Sequence, residues 1–446
     1  MKTFGILLLK QVMLTALMLA VFAGASSAQD AINENELFSD PEQMTQVSAQ
    51  IEIPVGEEKK TIGFSGEFTS VTADIISSTS TKDSLYSYMV GNIFLDARMK
   101  RDIKAFANLE ATYLSRTKMT DVALREFFFD FNYERKVYFR TGKQVLQWGR
   151  CNLWNPTDLI NVEKKTFIRK IGYREGAYGV KIHMPFGAKT NIYGFIDTGN
   201  VSSAEDAGGA LKYEFMAGNT EMAFSGWAKS SYNPVLGYDI SSRLWDIDIA
   251  GETSVSKGEN ADRLVLDRGL LNVIRRNDET ATRASLALSK GYRLGNFNDR
   301  LIVTTEFYYN RSGYEENIFG DASVYPYASP VTQVSALGTP TAVSAGTKTD
   351  FMNSNNLYVP HDYSKYYGAV FASVSRFIIA DMTLNLNYIR NACDGSGILS
   401  TGVAYKDPIT DLSAGLLVNS FLGAENREYT FSKEKHNIQI TFGVVF

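Results

Sequence analysis

The sequence predicts an all-β chain that closes into one antiparallel transmembrane β-barrel of about eighteen strands, with sixteen as the alternative. Three observations lead there. From residue 61 onward, short segments alternate apolar and polar side chains. A period of two places successive side chains on opposite faces of a strand. The connections between these segments alternate short and long, in phase, along the chain. Finally, the last eleven residues, His436 to Phe446, are themselves alternating and carry no tail, whereas the termini of soluble domains usually fray.

The elements follow in order. Lys2 and Lys10 precede an apolar run from Val12 to Ala23, and Ser26-Ser27-Ala28 supplies a small-residue cleavage site. This is the layout of a secretory signal peptide, residues 1–28, cleaved before Gln29. The apolar run is too short to favour an uncleaved anchor. Residues 29–60 are polar, with Pro41 and Pro54, and read as a periplasmic leader. The barrel is expected over 61–446. Its strands are expected near 62–75, 85–99, 103–115, 123–133, 136–145, 177–186, 189–197, 209–216 and 220–229. They continue at 234–241, 244–254, 282–293, 299–309, 366–375, 380–390, 397–405, 411–421 and 437–446. Residues 234–254 read as one strand or two, and Leu264 to Val273 as strand or helix.

The clearest strand is Ile103 to Tyr113. Ile103, Ala105, Ala107, Leu109 and Tyr113 share one face; Lys104, Asn108, Glu110 and Thr112 share the other. The segment before it sets Met89, Ile93, Leu95 and Met99 against Asn92, Asp96 and Arg98. Only Arg101 and Asp102 separate the two, which makes a tight hairpin. Glu134-Arg135, Gly187-Ala188, Ala217 to Asn219 and Ser242-Arg243 read as tight turns as well. The connections 146–176, 255–281 and 310–365 are long. Short turns at one end and long loops at the other are the asymmetry of membrane barrels, and they require an even strand count.

Composition bounds the function. Beyond the signal peptide no apolar run reaches 18 residues, so helical membrane spans are not expected. The formal charge of −4 becomes −6 without Lys2 and Lys10, too mild for a nucleic-acid partner. The three histidines, His183, His361 and His436, have no cysteine or carboxylate at metal-ligand spacing, so neither metal nor cofactor is expected. A membrane sheet must close so that every backbone group is paired. Sixteen to eighteen strands then enclose an aqueous channel. Asp96, Arg98, Lys104, Glu110 and His183 are expected to line it.

The connection from Gly142 to Gly176 is the least ordinary part of the chain. It holds seven basic residues, Lys143, Arg150, Lys164, Lys165, Arg169, Lys170 and Arg174, against Asp158, Glu163 and Glu175. Trp148 and Trp154 lie within it, and Asn155-Pro156-Thr157-Asp158 is a turn signal. The stretch Gly142-Lys143-Gln144 through Trp148-Gly149-Arg150 and Asn155-Pro156-Thr157-Asp158 resembles a motif of Gram-negative outer-membrane porin-like barrels, some of which are anion- or phosphate-selective. The terminal strand resembles their closing strand, whose final aromatic, here Phe446, is read by the barrel-insertion machinery. The resemblance implies outer-membrane lipid and lipopolysaccharide as surroundings, small solutes as cargo and a homotrimer as one assembly.

The expected function is passive diffusion of small hydrophilic solutes. Anions are preferred if the 142–176 connection folds into the lumen and sets Lys143, Trp148, Arg150, Asp158, Lys164, Lys165, Arg169, Lys170 and Arg174 at a constriction. The other reading keeps that loop outside, on lipopolysaccharide phosphates or in water, with the tryptophans in an interfacial girdle. A substrate-specific uptake or export barrel and a non-conducting surface barrel are the alternatives. Cys151 and Cys393 read either as one disulfide pinning the loop or as two separate thiols. No G-x-S-x-G occurs, and a lone lumen histidine is more often a lining residue, so an enzyme is not expected.

Overall fold

The computed structural model describes residues 61–78, 84–99, 102–146, 148–160, 173–199, 201–334 and 340–446. The expected signal peptide and leader lie outside the described residues. In chain order the strands are β1 (Thr61–Ser77), β2 (Ser84–Met99), β3 (Ile103–Leu114), β4 (Met119–Tyr133), β5 (Val137–Gln144) and β6 (Ala177–Phe186). Then come β7 (Thr190–Asp197), β8 (Gly208–Ala217), β9 (Thr220–Ala228), β10 (Val235–Leu244) and β11 (Ile247–Lys257). They are followed by β12 (Arg263–Asp267), β13 (Leu270–Ile274), β14 (Thr280–Leu294) and β15 (Phe297–Asn310). The last are β16 (Tyr325–Val334), β17 (Pro340–Gly346), β18 (Tyr366–Val374), β19 (Met382–Asn391), β20 (Gly397–Lys406), β21 (Leu412–Leu422) and β22 (Glu434–Val445).

Eighteen of these form a closed antiparallel barrel in which sequence neighbours pair; β12, β13, β16 and β17 stand apart. Closure is made by β1 and β22, in register from Glu67↔Val445 to Ile76↔His436. Phe446 completes it: its N–H donates to the Gly66 carbonyl at 2.9 Å, and the Gly66 N–H donates to its carbonyl at 2.8 Å. No sheet edge is left in the wall, which is what an apolar surrounding demands.

The two faces separate as the period of two requires. Asn92, Asn108, Glu110, Lys212, Asp239, Glu252, Ser285, Glu306, Asn419 and Gln439 are buried towards the interior. Between them Ile93, Leu95, Leu109, Phe127, Phe129, Phe131, Leu211 and Phe307 are exposed on the outside. A water-soluble protein would hide the second set; a lipid-facing wall presents it.

The tight turns lie at one rim. At Glu134 and Arg135 both φ angles are positive, 52° and 54°. The Lys136 N–H closes the turn on the Tyr133 carbonyl at 3.0 Å, a reversal whose twist matches the strands. The turn expected at Ser242-Arg243 lies three residues later, at Trp245-Asp246. β10 runs on to Leu244, and Trp245, at φ 57°, turns the chain. Residues 234–254 are therefore two strands.

At the other rim the long connections fold. The stretch Leu264 to Val273 is the β12–β13 hairpin, outside the barrel. β16, β17 and α1 (Lys348–Ser354) complete a cap whose core is Leu264, Leu271, Ile318, Phe319, Tyr327, Phe351, Met352 and Tyr363. α1 begins with a capping box: the Thr347 hydroxyl accepts from the Asp350 N–H, and Asp350 accepts from the Thr347 N–H. Phe431, from the β21–β22 connection, stacks on Phe319 at 4.4 Å.

Gly66 tests the closure. A Cβ there would lie 2.6 Å from the Phe446 ring and 2.9 Å from the Asn92 carbonyl. Gly66→Val should destabilise the barrel by about 1–3 kcal/mol, an overpacking cost, read as a lower urea midpoint and a smaller folded band on unheated gels.

Candidate functional site

The connection between β5 and β6 leaves the rim and runs into the barrel. Leu146, Trp148 and Ile160 are buried against Ala177 and Phe195, inward residues of β6 and β7. The Val145 N–H donates to Glu126 at 2.9 Å. The local turn is the one expected from Asn155 to Asp158: the Asp158 N–H donates to the Asn155 carbonyl at 3.0 Å. Asn155 also reaches back to the Cys151 carbonyl at 2.6 Å. Gly149 makes room for this fold, because a Cβ there would sit 2.5 Å from that of Asn155.

An irregular segment inside a barrel has backbone donors that no ladder satisfies. Two wall carboxylates take them. Glu252 on β11 accepts from the N–H groups of Arg150 (2.5 Å), Cys151 (2.7 Å) and Thr157 (3.2 Å). It also accepts from the Thr157 hydroxyl at 2.7 Å and the Asn155 amide at 2.9 Å. Glu306 on β15 accepts from the N–H groups of Asn152 (3.0 Å), Leu153 (3.1 Å) and Trp154 (2.7 Å). Successive N–H groups converging on an anion form a nest, and bonds to a charged acceptor are the stronger kind. Here the protein supplies the anion itself.

The tip of the segment is held by apolar contact. Trp154 stacks on Tyr308 of β15, with centroids 5.4 Å apart and planes within 2°. It leans on Tyr367 of β18 at 5.8 Å, inside a cluster with Leu153, Phe371, Ile389 and Phe421. Its indole N–H donates to the His361 carbonyl at 2.7 Å. Both tryptophans thus lie inside the barrel, which corrects the girdle reading.

Arg150 sits in a carboxylate cage. It meets Glu214 at 2.9 Å, Glu221 at 2.5 Å and the fully buried Asp239 on β8, β9 and β10. Lys212 joins Asp239 at 3.0 Å and donates to the Trp148 carbonyl at 2.9 Å. His183 is wired to the same cage: its Nε2 meets Asn191 at 3.0 Å, and the Asn191 amide donates to Glu214 at 3.2 Å. The return leg lies against the other wall. The Tyr173 N–H donates to Glu110 of β3 at 3.1 Å, and its ring packs edge-on against Phe94 of β2 at 5.3 Å. Arg174 pairs with Asp158 at 3.2 Å. One leg therefore rests on β6–β18 and the other on β1–β4.

The remaining expected lining residues form inward ion pairs. Asp96 meets Lys104 at 3.2 Å and Arg98 at 3.7 Å, and Glu110 pairs with Arg125.

Lys143 does not belong to this site. Arg140 and Gln144 point inward, so Lys143 points outward. Its register partners are the exposed Phe127 and Tyr178. There it pairs with Glu175 at 2.7 Å and lies 5.0 Å from the Tyr178 ring. Neither Cys151 nor Cys393 forms a disulfide. Cys151 is buried beside Ser285 of β14, at 3.3 Å from its hydroxyl, so the disulfide reading is corrected. Lys164, Lys165, Arg169 and Lys170 lie outside the described residues.

The wall carboxylates were not singled out from the sequence. Glu306 carries a signal there, as the one charged residue between Leu301 and Tyr309 of β15. Its partner lies about 150 residues away, and no spacing rule connects them.

Comparison with known proteins finds no matching family model and no matching curated protein. Solved structures do match. OccD3 (OpdP) of Pseudomonas aeruginosa has 9% identity over 86% of this chain and 91% of its own, with a TM-score of 0.50. OprD of the same organism has 8% identity over 86% and 95%, also at 0.50. OccAB1 of Acinetobacter baumannii has 10% identity over 86% and 96%, again at 0.50. The shared property at this identity is the fold, a closed 18-stranded barrel.

Two outcomes follow. Glu252→Leu and Glu306→Leu each strand backbone donors, and each should loosen the segment by about 2 kcal/mol or more. Hydrogen exchange at residues 150–157 should rise while the wall strands stay protected. The second concerns Glu428, buried in the β21–β22 connection. It accepts from the Tyr367 hydroxyl (2.8 Å), the Asn391 amide (2.7 Å) and the His361 N–H (3.2 Å). Burial pushes its carboxyl up to about 8. The native state then holds a proton that the unfolded chain releases near 4.5, so stability is full below that value and falls as pH rises towards 8. Local exchange at residues 423–433, corrected for intrinsic rates, should accelerate across that window and stay flat in Glu428→Gln.

Proposed function

We propose that the chain is an outer-membrane channel for passive diffusion of small hydrophilic solutes, with the 142–176 connection setting its narrow passage. The observation that carries this is the clamped segment inside a polar-lined barrel whose outside is apolar. An eighteen-stranded wall encloses an aqueous lumen, and a segment fixed across it narrows that lumen without closing the sheet. Fixed polar groups at such a constriction select among solutes. The rigidity of the clamp favours a selective passage over a general one.

Charge refines the proposal. Arg150 is shared among three carboxylates and Arg174 is paired with Asp158. Lys143 is on the outer face. An anion preference therefore rests on Lys164, Lys165, Arg169 and Lys170.

Planar-bilayer recording tests this reading. The wild type should give stable ohmic steps; a preparation of folded barrel that never conducts supports a structural surface role instead. Trp154→Ala should raise the step size severalfold by releasing the tip. Arg150→Ala should expose the Glu214, Glu221 and Asp239 charges and move the reversal potential towards cations. Lys143→Ala should leave it where it was.

A further inference from the structure

Among the inward phenylalanines of the wall, Phe128, Phe195, Phe371 and Phe421 are buried. Phe94 on β2 and Phe106 on β3 are not. Their ring centroids lie 6.3 Å apart with planes within 19°, and Phe128 on β4 follows Phe106 at 5.3 Å. The Arg140 guanidinium covers the Phe128 ring at 3.9 Å, and Tyr173 meets Phe94 edge-on. Phe94 and Phe106 therefore offer the open ring surface. Apolar rings held against water are costly, and the wall has cheaper inward residues elsewhere, such as Ser289, Thr304, Asn385 and Thr441.

Amides border this platform. Asn108 lies opposite Phe94 in register and two residues from Phe106 on the same face. It is 1% exposed, and neither its amide nitrogen nor its oxygen has a hydrogen-bond partner. Asn92, two residues from Phe94, is also buried; its amide donates to Glu67 at 3.2 Å, and its oxygen has no partner. Such groups are costly to bury unless something completes them. The β3–β4 ladder breaks at Asn108, where a bulge lets Arg125 and Glu126 both turn inward, onto Glu110 and the Val145 N–H. Bulges re-aim side chains beside functional sites. The charges at the other edge are paired, Asp96 with Lys104 at 3.2 Å and Asp130 with Arg140 at 2.7 Å.

We propose that Phe94, Phe106 and Asn108 form a binding site for a neutral sugar inside the lumen. A pyranose has an apolar C–H face, which the negative face of an aromatic ring attracts. Its rim of hydroxyls both donates and accepts, and the Asn108 amide supplies both complements. Paired border charges leave nothing for an ionic ligand to neutralise, so the sugar is uncharged. An acyclic polyol has the hydroxyls without the flat apolar face. The site deepens the channel proposal and rests on it, by naming the class of solute.

Isothermal titration of the folded full chain tests the site without any need for conduction, in a polyoxyethylene detergent that carries no sugar headgroup. Maltose is the probe. Mannitol and maltobionate, the carboxylate-bearing oxidation product of maltose, are the comparisons. The wild type should bind maltose, not mannitol, and maltobionate no better than maltose. Phe106→Ser and Asn108→Leu should each weaken maltose binding by about tenfold, while Phe106→Tyr, which keeps the ring, should bind as the wild type does. Asn108→Leu removes an amide that no protein group meets, so its urea midpoint should equal or exceed that of the wild type. Wild-type affinity in Phe106→Ser or Asn108→Leu, a lowered midpoint in Asn108→Leu, equal binding of mannitol, or a preference for maltobionate would overturn the proposal. A barrel that conducts in bilayers yet binds no maltose sinks this site alone. One that binds maltose yet never conducts keeps the site and sinks the channel reading.

Discussion

Every backbone N–H and C=O in this wall must find a partner without water, and the rest of the structure depends on that constraint. In the sheet it is met by closure: each strand pairs with two neighbours, and Gly66 with Phe446 joins the ends. The same demand reappears where the chain leaves the sheet. The segment from Arg150 to Thr157 has no strand beside it, so its donors turn to Glu252 and Glu306. Two carboxylates do for an irregular segment what a neighbouring strand does for a regular one.

Those carboxylates also shape the electrostatics. An uncompensated buried charge is costly, and the structure answers with donors and cations in close supply. Arg150, Lys212, Arg125 and Arg174 all meet acids. A cation that looks free in the sequence is therefore committed in the fold. Carboxylates of the wall neutralise Arg150, and Asp158 of the segment itself neutralises Arg174.

Much of the barrel was legible because strand alternation is local. Lys104, Asn108 and Glu110 alternate with Ala105, Ala107 and Leu109, and the burial of β3 follows that order. The turn at Trp245-Asp246 lies three residues beyond the expected one because Ser241 and Ser242 resemble turn residues yet extend the ladder. Lys143 could have been assigned by parity, since Arg140 is three positions before it on the opposite face. The cap escaped notice for another reason. Its strands are short and its core comes from three separate connections, Leu264, Phe351 and Phe431 among them, so no window of sequence contains the pattern.

By itself, the sequence determined the all-β class, the strand positions and the in-phase turns, because side-chain period and turn chemistry act over a few residues. Only the tertiary structure decided that the β5–β6 connection goes inward, that Glu252 and Glu306 hold it, and that Arg150 is caged. Each of those contacts joins residues about 60 to 150 positions apart. Which acid meets which donor is fixed by barrel geometry, once closure has brought distant strands to face one another across the lumen.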